Sequence, residues 1–324
     1  MTDNKLDISL YYSMLRVRMV EEKIVQMYPE YEMRCPVHFC IGQEAIASGV
    51  SANLTKEDYV MSNHRSHGHY LAKGGGLKEM LSEIYGKKTG CSGGKGGSMH
   101  LIDLSAGFLG AAPVVGSTIP IAVGAAWGAA QRGEKKIAVS YFGDAATEEG
   151  VFIESLDFAV LKKLPIVFVC ENNSYSVNSP LSVRQAEGVD IFKRVEGHGI
   201  ESRHGDGNDV KEVYKLTADA VRKARDGGGP TFLEFKTYRW LEHCGPLPDH
   251  PVCRPVEEVE RWKELCPLKR FRETLLKKGI LARKDMDKFE AEIASEIEDA
   301  VTFAKESPFP DESSLLTDVY AGVE

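Results

Sequence analysis

Residues 137–173 read IAVSYFGDAATEEGVFIESLDFAVLKKLPIVFVCENN, and the order of patterns in this stretch decides the fold. It opens on a largely apolar run of the kind covered on both faces in parallel sheets, and the run ends in Gly143-Asp144. Val151, Ile153, Leu156, Phe158 and Val160 then recur among acidic residues, which predicts a crossover helix over 147–163 with Thr147 as N-cap. A second apolar run, 164–170, stops on Asn172-Asn173. Strand, helix and strand make a βαβ unit with polar groups at both carboxyl ends.

The flanks extend this unit. A further one is expected from VEGHGIES, a helix at 209–226 and a strand at 231–237. Alternating strands and helices imply an α/β fold, one doubly wound, mostly parallel sheet flanked by helices. Upstream, apolar residues at steps of three and four predict an amphipathic helix over 7–28 covering one side of the sheet. Small-residue and amphipathic patterns predict helices over 42–54 and 77–88, the latter stopped by Gly90. The Ala/Gly-dense stretch 117–130 reads as a helix that packs closely, in a core or against another subunit. From about 255 onward the pattern is helical and highly charged, an extension of a single domain spanning 1–324, and the closing SSLLTDVYAGVE is expected to dock on the body.

Hydrophobic content of 43%, charged content of 27% and a net charge of -8 describe a soluble protein, and the acidic balance argues against general nucleic-acid binding. The N-terminal residues carry charge too often for a signal peptide or a membrane span, so a cytoplasmic location is expected. Seven cysteines form no CxxC pair, which fits reduced thiols and excludes a cysteine-based zinc site.

Asp144 and Asn173 stand 29 positions apart, the distance needed for a loop, a crossover helix and a second strand. Both can then emerge at one sheet edge, where open α/β folds bind ligands. A carboxylate, an amide oxygen and a backbone carbonyl form a hard oxygen set suited to magnesium and a diphosphate. The plainer alternative is that Asp144 caps a helix and the two asparagines make a turn. HGDGNDVKEVY, 204–214, contains a literal GDG, but no apolar strand ending in Asn-Asn follows at the right distance. Gly207-Asn208-Asp209 reads as a turn and helix cap there, and Asp206 receives no metal role.

Gly-Asp, about 28 residues and Asn-Asn resembles the thiamine diphosphate signature, and the chain around it resembles the α subunit of the decarboxylating component of 2-oxo acid dehydrogenases. This is the pyruvate, branched-chain and acetoin dehydrogenase group. The likeness covers nearly the whole chain and includes HFCIGQEA (38–45), HRSHGHYLAKG (64–74), GKGGSMHL (94–101), VVGSTIPIAVGAA (114–126), LPIVFVCENNSYSV (164–177) and KTYRWLEH (236–243). It implies a thiamine diphosphate-binding fold, with Asp144, the Asn173 side chain and the Tyr175 carbonyl as Mg2+ ligands. Arg65 and Arg239 would contact the diphosphate, Val115 the aminopyrimidine through its backbone, and Gly143, Ala145 and Ala146 the cofactor from the Asp144 loop. His38 and His243 match the two active-site histidines, able to move protons near neutral pH, with His243 also at the cofactor. His64 stands where relatives often carry tyrosine.

The resemblance further implies a β subunit that completes each site, in a heterotetramer of two α and two β chains, and a lipoyl acyltransferase as acceptor of the acyl unit taken from a 2-oxo acid. Two alternatives accompany it: a split transketolase-like carboligase using an aldehyde or keto-sugar acceptor, and a non-catalytic partner without cofactor. LEHCGPLPDH (241–250) departs from the family, with Cys244 in place of a regulated serine, and Ala145 stands where a glycine is usual.

Overall fold

A computed structural model of the chain describes residues 3–317. The chain opens on α1 (Asp3–Met27) and α2 (Glu44–Ser51), followed by β1 (Tyr59–Ser62), α3 (His67–Lys73) and α4 (Leu77–Ile84). A glycine-rich loop leads to β2 (Phe108–Ala111) and the Ala/Gly helix α5 (Thr118–Gln131). The decisive unit is β3 (Ala138–Gly143), α6 (Gly150–Leu161) and β4 (Ile166–Asn172). A small hairpin, β5 (Tyr175–Ser176) with β6 (Ser179–Pro180), precedes α7 (Ile191–Glu196), β7 (Glu201–Asp206), α8 (Val210–Arg225) and β8 (Thr231–Lys236). Three helices follow: α9 (Val256–Glu264), α10 (Pro267–Lys277) and α11 (Arg283–Glu306).

Six strands form one parallel sheet in the order β2-β1-β3-β4-β8-β7. Their side chains alternate between two cores, as the two-residue period of a strand requires. Val139, Tyr141, Val167, Val169, Leu233 and Phe235 enter the core shared with α1, α2 and α8, while Phe142, Ile166, Phe168 and Phe232 enter the one under α5 and α6. Because both faces are covered, the central strands read as apolar runs without polar alternation. No helix among the described residues is long and apolar enough to cross a membrane.

Several local expectations change. Thr147 does not cap the crossover helix: residues 144–148 form a 3-10 turn in which Thr147 Oγ1 donates to the Asp144 carbonyl at 2.7 Å, and α6 starts at Gly150. Helix α1 joins the core on one face of the sheet, but packs chiefly on α2, α3, α10 and α11. Helix α4 ends at Ile84, before a glycine with positive φ, Gly86 (φ 68°), and not at Gly90. Asp209 caps α8 as expected, accepting from Lys211 N at 2.9 Å and Glu212 N at 3.2 Å, and Asp206 pairs with Arg270. In the tail, Leu315 and Leu316 are exposed and Thr317 accepts from Lys95 Nζ, whereas 318–324 lie outside the described residues.

The glycine-rich loop owes its composition to one buried carboxylate. Glu83, at the end of α4, accepts four backbone hydrogen bonds, from Ser92, Gly94, Gly96 and Gly97 at 2.7–3.0 Å. A Cβ on Gly90 would lie 2.3 Å from that carboxylate, and one on Gly97 (φ 66°) 2.7 Å from Cys35 Cβ. Glycine is therefore required for the chain to wrap so closely. From this loop Ser98 meets His67 Nε2 at 2.7 Å, His67 Nδ1 meets Glu21 at 2.5 Å, and Glu21 accepts from Cys40 N at 2.6 Å. That buried chain fixes the segments carrying His38 and Arg65.

Candidate active site

Every strand of the sheet centre delivers chain to one edge at its carboxyl end. The turn after β1 presents Asn63, His64 and Arg65; that after β2 presents Ala112–Gly116; β3 gives Gly143–Ala146; β4 gives Glu171, Asn173 and Tyr175; and the loop after β8 gives His243. Together with His38 and Gln43 they surround a cavity of about 250 Å³. This is the crevice that parallel α/β sheets offer to ligands. Of the site residues expected from sequence, His38, His64, Arg65, Val115, Gly143, Asp144, Ala145, Ala146, Asn173, Tyr175 and His243 all line it.

Arg239 is not among the lining residues. Its guanidinium is buried and directed to the Leu241 carbonyl at 2.7 Å, Asp249 at 3.2 Å and the Val177 carbonyl at 2.6 Å. Arg254 grips the same Asp249 at 2.6 Å, so the divergent loop 241–250 is built around a carboxylate held by two arginines. Here Arg239 acts as the anchor of the loop that bears His243. Arg65 is likewise engaged, donating to the Phe39 carbonyl at 2.8 Å and to the His243 carbonyl at 2.9 Å and ring at 3.2 Å.

Strand alternation separates the two asparagines. Asn172 points away from the cavity to Glu234 at 2.6 Å, while Asn173 lies on the cavity side. The Asn173 amide donates to Gln43 Oε1 at 3.3 Å and its oxygen accepts from Tyr175 N at 3.2 Å. Asp144 is 1% exposed, and burial pushes its carboxyl upward against the pull of Arg184, whose guanidinium bridges Asp144 and Glu148. A Cβ on Gly143 would meet no atom within 4 Å, so bare backbone faces open cavity there. Ala145 does not adopt a positive φ, unlike four non-glycine positions among the described residues. A buried carboxylate, an oriented amide oxygen and exposed backbone fit a hard cation with a phosphate group.

The histidines form a second group. Ring centroids of His38, His64 and His243 lie 4.7–5.3 Å apart. Burial first, and then Arg65, hold all three below the ordinary imidazole value, at about 3, 2 and 4 respectively. They are neutral at physiological pH, so the expectation that His38 and His243 titrate near neutrality gives way to neutral donors and acceptors. Their nitrogens lie within 4.8 Å of one another, close enough to consider a metal. Arg65 can only donate, however, so His243 Nδ1 accepts and its proton sits on Nε2. The adjoining guanidinium also opposes a cation. Sequence reading missed Gln43, Glu171 and Arg184; Gln43 and Glu171 lie within the quoted GQEA and VCENN motifs, and Arg184 carries no local signal.

The model of the dehydrogenase E1 component family matches residues 12–313. The chain belongs to that family. The α subunit of acetoin:2,6-dichlorophenolindophenol oxidoreductase from Bacillus subtilis is 39% identical over 97% of this chain and 93% of its own length. The corresponding subunit from Cupriavidus necator is 37% identical, over 98% and 95%. The pyruvate dehydrogenase E1 component subunit α of Rickettsia felis is 36% identical, over 97% and 95%.

Proposed function

We propose that this chain is the α subunit of a thiamine diphosphate- and Mg2+-dependent enzyme that decarboxylates a 2-oxo acid and passes the acyl unit to a lipoyl group on a partner acyltransferase. The observation that carries the reading is the single cavity in which Asp144, Asn173 and Tyr175 from two adjacent strand ends meet three neutral histidines. Bound there, thiamine diphosphate supplies the electron sink for breaking the bond next to a ketone carbonyl. The chain's own residues hold, orient and transfer protons. Asp144, the Asn173 oxygen and the Tyr175 carbonyl would hold the Mg2+, with Gln43 taking the Asn173 amide hydrogens so that its oxygen is presented. His243, its proton kept on Nε2 by Arg65, is a neutral donor, and His38, whose Nδ1 has no partner among the described residues, is free to donate or accept. Neutral imidazoles next to a guanidinium suit an anionic substrate.

Activity requires a β subunit, in an assembly of two α and two β chains, in the cytoplasm. The first test is calorimetric titration of the purified α/β pair with thiamine diphosphate and Mg2+; absence of binding sinks the reading. A panel of 2-oxo acids with a dye acceptor then identifies the substrate. The 39% identity to an acetoin oxidoreductase subunit favours one second reading, an α-hydroxyketone substrate, so acetoin belongs in the panel.

A further inference from the structure

The position on Asp144 where a cation would bind is held by a side chain that no motif marks. Arg184 comes from the segment after the β5-β6 hairpin, and its Nη2 donates to Asp144 Oδ2 while Nη1 donates to Glu148. Its Nε donates more weakly to the Ser179 carbonyl at 3.3 Å. Asp144 is almost wholly buried, and a bare carboxylate there is costly, so the guanidinium supplies the missing countercharge. The segment that delivers it is conformationally unfavourable. Ser174 and Val177 both adopt positive φ, 68° and 52°, without being glycine, and Val177 is β-branched.

A divalent cation on the same carboxylate changes the balance. Mg2+ demands a near-octahedral oxygen shell and repels a guanidinium sharing its ligand, and arginine cannot relieve the repulsion by losing a proton. Movement is the remaining response. Glu148, 30% exposed at its side chain and also bonded to Gln185 at 3.2 Å, offers Arg184 a second anchor away from the buried carboxylate.

We propose that Arg184 is a countercharge latch: it neutralises Asp144 while the cation is absent, and it yields Asp144 when the cation and diphosphate load, coupling the strained segment 174–185 to occupancy of the site. This rests on the reading of the cavity as a metal-diphosphate site.

The test uses the α/β complex stripped of metal, titrated with MgCl2 at fixed thiamine diphosphate and followed by calorimetry, not by turnover. Arg184→Gln should bind about tenfold more tightly, the equivalent of one charge-assisted hydrogen bond no longer competing. Arg184→Lys, which keeps the charge but loses the two-nitrogen fork that meets the two carboxylates, should fall between it and the wild type. Arg194→Gln is the control for bulk charge: Arg194 bonds Thr147 in the same turn at 2.7 Å but no carboxylate among the described residues, and its loss should shift affinity by less than about twofold. Equal or weaker binding by Arg184→Gln overturns the latch, as does equal tightening in Arg194→Gln. A wild-type complex that binds neither Mg2+ nor thiamine diphosphate overturns instead the metal-diphosphate reading beneath it.

Discussion

Glu83→Gln replaces a carboxylate by a group of the same shape and isolates what the charge does for the glycine-rich loop. Oε2 accepts from Ser92 N at 2.8 Å and Gly94 N at 2.9 Å, and Oε1 from Gly96 N at 2.7 Å and Gly97 N at 3.0 Å. Glutamine keeps one acceptor and sets its NH2 against the other two N–H groups, whichever way the amide turns. Each buried donor left unsatisfied costs about 1–3 kcal/mol, so two cost about 2–6 kcal/mol, against a typical total stability of about 5–15 kcal/mol. No cavity opens, because the volume is conserved. The thermal midpoint should drop by about 4–24 °C at the scaling of about 2–4 °C per kcal/mol for large domains. Amide exchange should accelerate at residues 92–97 and spare the β3-β4 ladder. A loss below about 1 kcal/mol, or unchanged exchange in the loop, would refute the idea that one carboxylate organises it.

Two changes at the site and one in pH complete the set. Asp144→Ala should abolish Mg2+-dependent cofactor binding and turnover with every substrate; retained binding in calorimetry removes Asp144 from the cation site. Gly42→Ala should destabilise the chain by more than about 2 kcal/mol in urea unfolding, since its φ is 99° and a Cβ would lie 2.5 Å from the Tyr238 carbonyl and 2.6 Å from Trp240 Nε1; wild-type stability would show that this approach is not needed. The three histidines give a signed pH dependence. Their folded values, about 3, 2 and 4, lie below the ordinary 6.5, so under pH 6.5 the unfolded chain takes up protons that the folded chain refuses. The stability they contribute is whole above pH 6.5 and is lost progressively as pH falls towards 4 and below. His64→Gln should flatten the slope of denaturation midpoint against pH between 6.5 and 4.5; parallel slopes for variant and wild type count against buried neutral imidazoles.

The βαβ unit was legible because β3 and β4 are long and covered on both faces, which leaves an apolar run that little else produces. Strands β1 and β2, four residues each, were not, because YVMS and FLGA are too short to show a period. Strand β7 lies later than VEGHGIES suggests, overlapping it only at Glu201-Ser202: as an edge strand it is half exposed, and ESRHGD has no apolar run to mark it. At the site, positions were readable and states were not. Spacing brought Asp144 and Asn173 to one edge, and motif likeness located His38 and His243. That the imidazoles are neutral follows from burial and from Arg65, neither visible in a local string. Arg184 stands 40 positions from Asp144 on a segment without periodicity, so only the folded backbone brings the two together.

The Asp144 loop shows how a departure from a family pattern can be absorbed. Glycine can serve such a loop by permitting positive φ or by leaving backbone uncovered. The first is not needed at Ala145, which adopts no positive φ. The second is met two residues earlier, where Gly143 ends the β3 ladder and has open space where a Cβ would stand. The 3-10 turn that follows is closed by Thr147 through the Asp144 carbonyl, a bond indifferent to the side chain between them. The methyl of Ala145 therefore costs no backbone strain. What remains is its contact with whatever fills the cavity, and there the larger obstacle on Asp144 is the guanidinium of Arg184, not the methyl beside it.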